Sequence, residues 1–127
     1  MDKIYRGSCL CGHITFEVAG EPENPHTCSC SICQKHSGAP TVNWVEYSAE
    51  AVKWTGAGGT PATFRSSPDS SRAFCPKCGS TIGAIDDEPV IAFVTGCFSD
   101  GKKKAFKPAG HSYRSNRPKW WHLDIGD

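Results

Sequence analysis

Three cysteines within six residues, Cys28-Ser29-Cys30-Ser31-Ile32-Cys33, constrain this chain more than any other stretch. Thiols this close along one turn rarely reach the separation and dihedral that an unstrained disulfide needs. Convergence on one soft cation is the alternative. Three thiolates leave one position of a tetrahedral site open. Structural zinc sites are closed by four protein ligands, whereas catalytic ones keep a place for water or substrate. On this reading no side chain fills the fourth position permanently, and the opening is the active site.

The remaining cysteines suggest a second, closed site. Cys75-Pro76-Lys77-Cys78-Gly79 is a zinc-knuckle turn, in which backbone amides point at the sulfurs and Gly79 takes a conformation that other residues avoid. A knuckle supplies two ligands and needs two more. Cys9 and Cys11 are the other tight pair, bracketed by Gly7 and Gly12, which let the backbone fold back so that both sulfurs face one point. A four-cysteine site joining Cys9, Cys11, Cys75 and Cys78 is therefore expected, contributing on the order of 10 kcal/mol to folding. Pairing the knuckle with Cys28 and Cys30 instead would leave Cys9, Cys11 and Cys33 without a compact site, and ranks second. Cys97 is the odd thiol. It reads as a buried small hydrophobe, with closure of the three-cysteine site as its other use.

Eight cysteines in 127 residues, with no secretion signal, point to a reducing compartment, the cytoplasm, and to metal rather than disulfides. A disulfide framework is the bland alternative. No apolar run approaches the length of a membrane span. The formal net charge is +1 and falls further when thiolates hold zinc, so nothing in the balance calls for nucleic acid. The length suits one domain over residues 1–127.

Secondary structure follows from period and punctuation. Ile14, Phe16 and Val18 alternate with His13, Thr15 and Glu17, the pattern of a half-buried strand. Residues 20–25 read as a loop. Ser29 or Ser31 is the expected cap of a short helix that Gly38 stops, with Pro40 beyond. Residues 41–47, 52–54 and 63–65 read as short strands, and a Ser/Pro/Asp-rich turn at 66–71 leads into Arg72-Ala73-Phe74. Val90 to Val94 is a continuous apolar run suited to a central, fully buried strand. Long helical periods are absent, so the expected fold is mainly β, a small zinc-stabilised domain of short antiparallel strands.

Cys30 and Cys33 would be neighbours at i, i+3 near a helix N-terminus, where free amides favour thiolate. His36, three residues on, suits a fourth ligand or a proton shuttle, and equally an exposed histidine at the helix end. Lys35, Trp44 and Arg65 are assigned to substrate contact, with the aromatic residues of this region otherwise serving the core. The stretch from Lys102 to Lys119 holds seven basic residues and no acid, and leads into Trp120-Trp121-His122-Leu123. Single-stranded nucleic acid, a cationic rim for a small anion, and a solvated loop with core tryptophans are its three readings.

Taken together, Gly7-x-Cys9-x-Cys11-Gly12-x-x-x-Phe16, Cys28-x-Cys30-x-x-Cys33 and Phe74-Cys75-x-x-Cys78-Gly79-Ser80 resemble the glutathione-dependent formaldehyde-activating enzyme family, as does Pro108-x-x-His111 followed by Lys119-Trp120. The resemblance implies a zinc fold of the β-tent kind. It implies a structural zinc on Cys9, Cys11, Cys75 and Cys78, and a labile catalytic zinc on Cys28, Cys30 and Cys33. The implied reaction joins glutathione and formaldehyde as S-hydroxymethylglutathione, a carbon–sulfur lyase reaction when written in reverse. Where many relatives carry paired arginines after the third central cysteine, this chain has Gln34-Lys35. The expected function is thus a zinc-dependent carbon–sulfur lyase acting on a small-molecule thiol adduct, glutathione being the first candidate. His36 or His111 would move the proton. The alternative is a non-catalytic zinc module that binds partners through its basic, aromatic C-terminal segment.

Overall fold

Period-2 alternation builds most of this molecule, and a computed structural model describes it over residues 2–122. In chain order the strands are β1 (Ile4–Ser8), β2 (Thr15–Ala19), β3 (Glu23–Cys28), β4 (Val42–Ser48), β5 (Val52–Trp54), β6 (Ala62–Ser67), β7 (Ser70–Phe74), β8 (Thr81–Asp86), β9 (Val90–Val94) and β10 (His111–Ser112). Among the described residues a single α-helix, α1 (Ser31–Ser37), lies between β3 and β4. The fold is mainly β, with short antiparallel strands, as expected. Among the described residues no helix is long and apolar enough to cross a membrane.

The strands form a three-stranded sheet, β1-β2-β5, and a seven-stranded sheet, β10-β3-β4-β9-β8-β7-β6. Between them lies the main core. Ile14, Phe16 and Val18 are fully buried, as their alternation predicts. Phe16 stacks on Phe93 of β9 at 4.2 Å between ring centroids and meets Phe98 edge-on, joining the two sheets. Gly7 serves this packing rather than a turn: a Cβ there would lie 2.2 Å from the Phe16 ring. Gly12, at φ +81°, turns the chain just after Cys9 and Cys11, its N–H donating to the Cys9 carbonyl at 3.3 Å.

Several elements differ from expectation for identifiable reasons. The segment 20–25 read as a loop overlaps the start of β3, whose register shifts between Glu23 and His26. That irregularity accommodates Pro25, which has no amide to donate, and Asn24 at φ 48°. Val90–Val94 is central, as expected, but it is not buried throughout. Ile91 and Phe93 enter the main core, while Ala92 and Val94 pack against a second cluster on the opposite face. β1, β7, β8 and β10 had no sequence-based assignment, and β6 and β7 run into the segment read as a turn at 66–71, leaving only Pro68-Asp69 between them. Within the C-terminal segment Phe106 is buried, Trp120 is exposed rather than core, and Leu123 lies outside the described residues.

The second face of the seven-stranded sheet carries the functional interest. Phe64, Arg72, Ala84, Ala92 and Glu46 are register partners in one row across β6, β7, β8, β9 and β4. Residues opposite one another in this way project from the same face. Two alanines at the centre of the row leave room above the sheet, and α1 lies over that room.

Candidate metal centres

Cys9, Cys11, Cys75 and Cys78 come together as one group, and Cys28, Cys30 and Cys33 as another, each with its sulfurs within 4.8 Å of one another. All eight thiols are free. The knuckle pairs with the N-terminal turn, and the alternative permutation does not form.

In the four-cysteine group, Cys9–Cys11 and Cys11–Cys75 sulfurs lie 3.7 and 3.8 Å apart. A tetrahedron with metal–sulfur bonds of about 2.3 Å has edges of about 3.8 Å, so the spacing suits a tetrahedral metal and is far from a disulfide bond. Amides orient the sulfurs. The Ile14 N–H donates to Cys9 Sγ at 3.3 Å, and the Lys77 and Cys78 N–H groups donate to Cys75 Sγ at 3.3 and 3.4 Å. Gly79, at φ +80°, closes the knuckle by donating its N–H to the Cys75 carbonyl. Ser80 ties the halves together: its hydroxyl accepts from the Leu10 N–H at 2.9 Å and lies 3.1 Å from Cys78 Sγ. Hydrogen bonds from Ser80 bring the Cys78 thiol down to about 5, which favours the thiolate a metal requires.

The three-cysteine group is built by the start of α1. Cys30 is the helix N-cap, and its sulfur accepts the Cys33 N–H at 3.3 Å. A cysteine therefore takes the place expected of Ser29 or Ser31. Ser29 is buried instead and donates to Thr41 Oγ1 at 2.8 Å. Gly38 ends the helix in the left-handed conformation, as predicted. Cys28 arrives from the end of β3, paired with Val42 of β4 and Ser112 of β10. Burial pushes the Cys28 thiol up to about 12, whereas Cys30 is lowered because the Cys33 amide and neighbouring thiols outweigh its burial. Burial raises the Cys33 thiol as well, against the opposing pull of the Arg72 guanidinium.

Arginine stands beside this group. Arg72 donates from both Nη atoms to Cys33 Sγ, at 3.5 and 3.6 Å, and its guanidinium covers the Trp44 ring at 5.3 Å. The thiols and Arg72 open into a cavity of about 320 Å3 that Trp44, Ala84 and Ala92 help to line, with Glu46 and Asp86 among its walls. The C-terminal segment completes it. β10 adds to β3 in parallel, and Tyr113, at φ 54°, reaches the cavity wall.

Residues 4–116 match the family described as glutathione-dependent formaldehyde-activating enzyme. The chain belongs to that family. Its fold is similar to that of a Rhodobacter sphaeroides protein of known crystal structure, with a TM-score of 0.63 at 15% identity over 84% of this chain and 99% of that one. No curated protein sequence matches it.

The formaldehyde-activating family membership gives the remaining candidates a frame. Trp44 is at the three-cysteine cavity. Lys35 and His36 line a second cavity of about 380 Å3 on the neighbouring side of α1, together with Phe64, Phe74, Ile32 and Arg72. His36 is no exposed helix-end residue: both ring nitrogens are buried without a hydrogen-bond partner among the described residues. Burial, with the Arg72 charge added, lowers its pKa, so the ring is neutral at neutral pH. It is not part of the three-thiol group. Arg65 stands apart from both cavities. It points to the hairpin end, where it forms a two-pronged ion pair with Asp87 at 2.7 and 2.6 Å and donates to the Pro68 carbonyl. His111 bonds through Nδ1 to Thr27 Oγ1, one residue before Cys28. Cys97 lies beside the four-cysteine group, donating its S–H to the Thr81 carbonyl at 3.4 Å, and does not join the three-cysteine one.

Arg72 is the residue that sequence reasoning passed over. Its position opposite Phe64 on one side and Ala84 on the other would have marked it, but only with the register of three strands in hand.

Proposed function

We propose that this protein is a zinc-dependent carbon–sulfur lyase of the cytoplasm, making and breaking the adduct of a small thiol such as glutathione with an aldehyde. Cys9, Cys11, Cys75 and Cys78 hold a structural zinc, and Cys28, Cys30 and Cys33 a labile one. The observation that carries this reading is the contrast between the groups: four sulfurs close around one point, whereas three open into a cavity with a guanidinium at its wall. Zinc on three thiolates supplies an open position for a substrate sulfur and keeps it anionic at neutral pH.

The chain's own residues do the rest. Arg72 offsets the negative charge of Cys33 and, braced on Trp44, keeps a fixed orientation at the mouth of the thiol group. Neutral His36 accepts the hydroxyl proton of the adduct as the carbon–sulfur bond breaks and the carbonyl forms. In the other direction it returns that proton to the oxygen as sulfur adds to carbon. Arg72, on the wall of the thiol cavity, and the exposed Lys35, on the solvent side of α1, offer cations to the carboxylates of a thiol such as glutathione.

The test is exchange spectroscopy on zinc-loaded protein with glutathione and formaldehyde, in which interconversion of free thiol and adduct is read directly. Acceleration over buffer that disappears in Cys30→Ala protein supports the reading. Equal exchange with and without protein would remove it, and would leave the zinc module without catalysis as the better account.

A further inference from the structure

The two cavities beside α1 share a wall, since Ile32 and Arg72 line both. One holds the three thiols. The other measures about 380 Å3 and is lined by Phe64, Phe74, Ile32 and His36 together with Lys35 and Ser66. Formaldehyde gives it no occupant: a molecule of two heavy atoms is little larger than water, whose share of liquid volume is about 30 Å3.

Three polar atoms in this region want a partner. Both His36 nitrogens and Arg72 Nε are buried with none among the described residues. Buried polar groups in folded proteins are otherwise almost always hydrogen-bonded, and exceptions call for an explanation such as a missing ligand atom. The apolar side of the cavity is unusual too. Phe64 faces the same way as Arg72 from the edge strand β6 and remains 68% exposed, beside the partly exposed Ile32. His36 lies one helical turn from Cys33, and side chains at i, i+3 are neighbours about 5–6 Å apart at Cβ.

We propose that the Phe64–Phe74–His36 cavity is a subsite for the substituent of the aldehyde, an alkyl or aryl group on the carbonyl carbon, with the carbonyl oxygen hydrogen-bonded to His36. This rests on the reading that the thiol sulfur docks at Cys28, Cys30 and Cys33. A carbon bonded to that sulfur then lies between the thiols and His36, and its side group extends over Phe64. The step is balanced without an oxidant. The sulfur lone pair forms the S–C bond, the carbonyl π pair moves to oxygen, and a proton is added there; reversal releases aldehyde, thiolate and proton. The favoured partner is an aldehyde about the size of phenylacetaldehyde.

The test uses the zinc-loaded full chain with glutathione and either formaldehyde or phenylacetaldehyde, with exchange between adduct and free aldehyde read by NMR. Burying a phenyl group supports a preference of about tenfold or more for the phenylacetaldehyde adduct. Phe64→Ala lowers the ratio of the two accelerations at least several-fold, and Phe64→Leu restores most of it. A second readout needs no turnover: saturation transfer to 2-phenylethanol, an unreactive mimic, is strong with the parent protein and weak with Phe64→Ala. Equal acceleration of both adducts, or 2-phenylethanol binding untouched by Phe64→Ala, overturns the subsite. A preference for benzyl mercaptan with formaldehyde over glutathione with phenylacetaldehyde overturns its assignment to the aldehyde. If neither adduct is accelerated while 2-phenylethanol still depends on Phe64, the lyase reading fails and with it the assignment to an aldehyde, leaving the cavity as a binding site for an apolar group.

Discussion

Arg72 stands 3.5 Å from Cys33 Sγ while its guanidinium covers the Trp44 ring. One side chain thus links the sheet face to the sulfur cluster on the helix. Its cross-strand neighbours, Phe64 and Ala84, place it there, and the alanines at positions 84 and 92 leave the space it occupies.

Arg72→Ala is expected to weaken metal binding at the three-cysteine group by roughly 10- to 100-fold, the range found when a partner of a metal ligand is removed. Arg72→Lys restores the charge but not the flat contact with Trp44, so recovery is partial. Zinc competition with a chromophoric chelator measures both. Affinity equal to that of the parent would mean that Arg72 serves the substrate alone.

The two sulfur groups differ in what they hold together. Cys75→Ser removes a ligand from the group that links the N-terminal turn to the β7–β8 connection, and loss of most of its metal-derived stability, several kcal/mol, is expected. Cys30→Ser removes a ligand from the other group yet keeps an oxygen to cap α1. That variant should melt within a few degrees of the parent and carry one zinc fewer per chain. Elemental analysis and thermal melts decide. Equal destabilisation by the two substitutions would contradict the division into closed and open sites.

His36 gives the stability a pH dependence of known sign. Its pKa in the folded chain lies below the ordinary value of 6.5 because of burial and the Arg72 charge. The unfolded chain therefore takes up a proton first as pH falls. The contribution of His36 is fully favourable above about 6.5 and is lost as pH drops from there toward the folded-state pKa. His36→Gln lacks this loss. Urea unfolding at pH 7.5 and 5.5 should show a smaller drop for the variant than for the parent, acid release of metal being common to both. Parallel losses would mean that the buried imidazole titrates normally.

Cys97 should be inert. Burial pushes its thiol up to about 11, and its S–H is engaged with the Thr81 carbonyl. Iodoacetamide at pH 7.5, applied to native metal-free protein and read by peptide mass, is expected to modify Cys30 ahead of Cys97. Rapid labelling of Cys97 would place it among the reactive thiols.

Legibility in the sequence tracked how local each cause was. The β2 alternation, the Gly79 and Gly38 turns and the knuckle depend on residues within a few positions, and each appears where it was read. The β3 strand was hidden because Pro25 and Asn24 carry loop signals that a bulge absorbs. Arg65 and Arg72 look alike in sequence, both on short strands near the hairpin. Asp87 captures the first and Cys33 faces the second, and both partners come from distant segments.

The sequence by itself determined the donor set: seven cysteines in spacings that suit metal, with one group of four and one of three. Ligand chemistry and turn chemistry are local, so spacing is enough to reveal them. Tertiary structure alone decided what surrounds the three-thiol group. The row from Phe64 through Arg72, Ala84 and Ala92 to Glu46 exists only once five strands are in register. No periodicity within one strand encodes that alignment, because register is set by pairing between strands and by the burial of their opposite face.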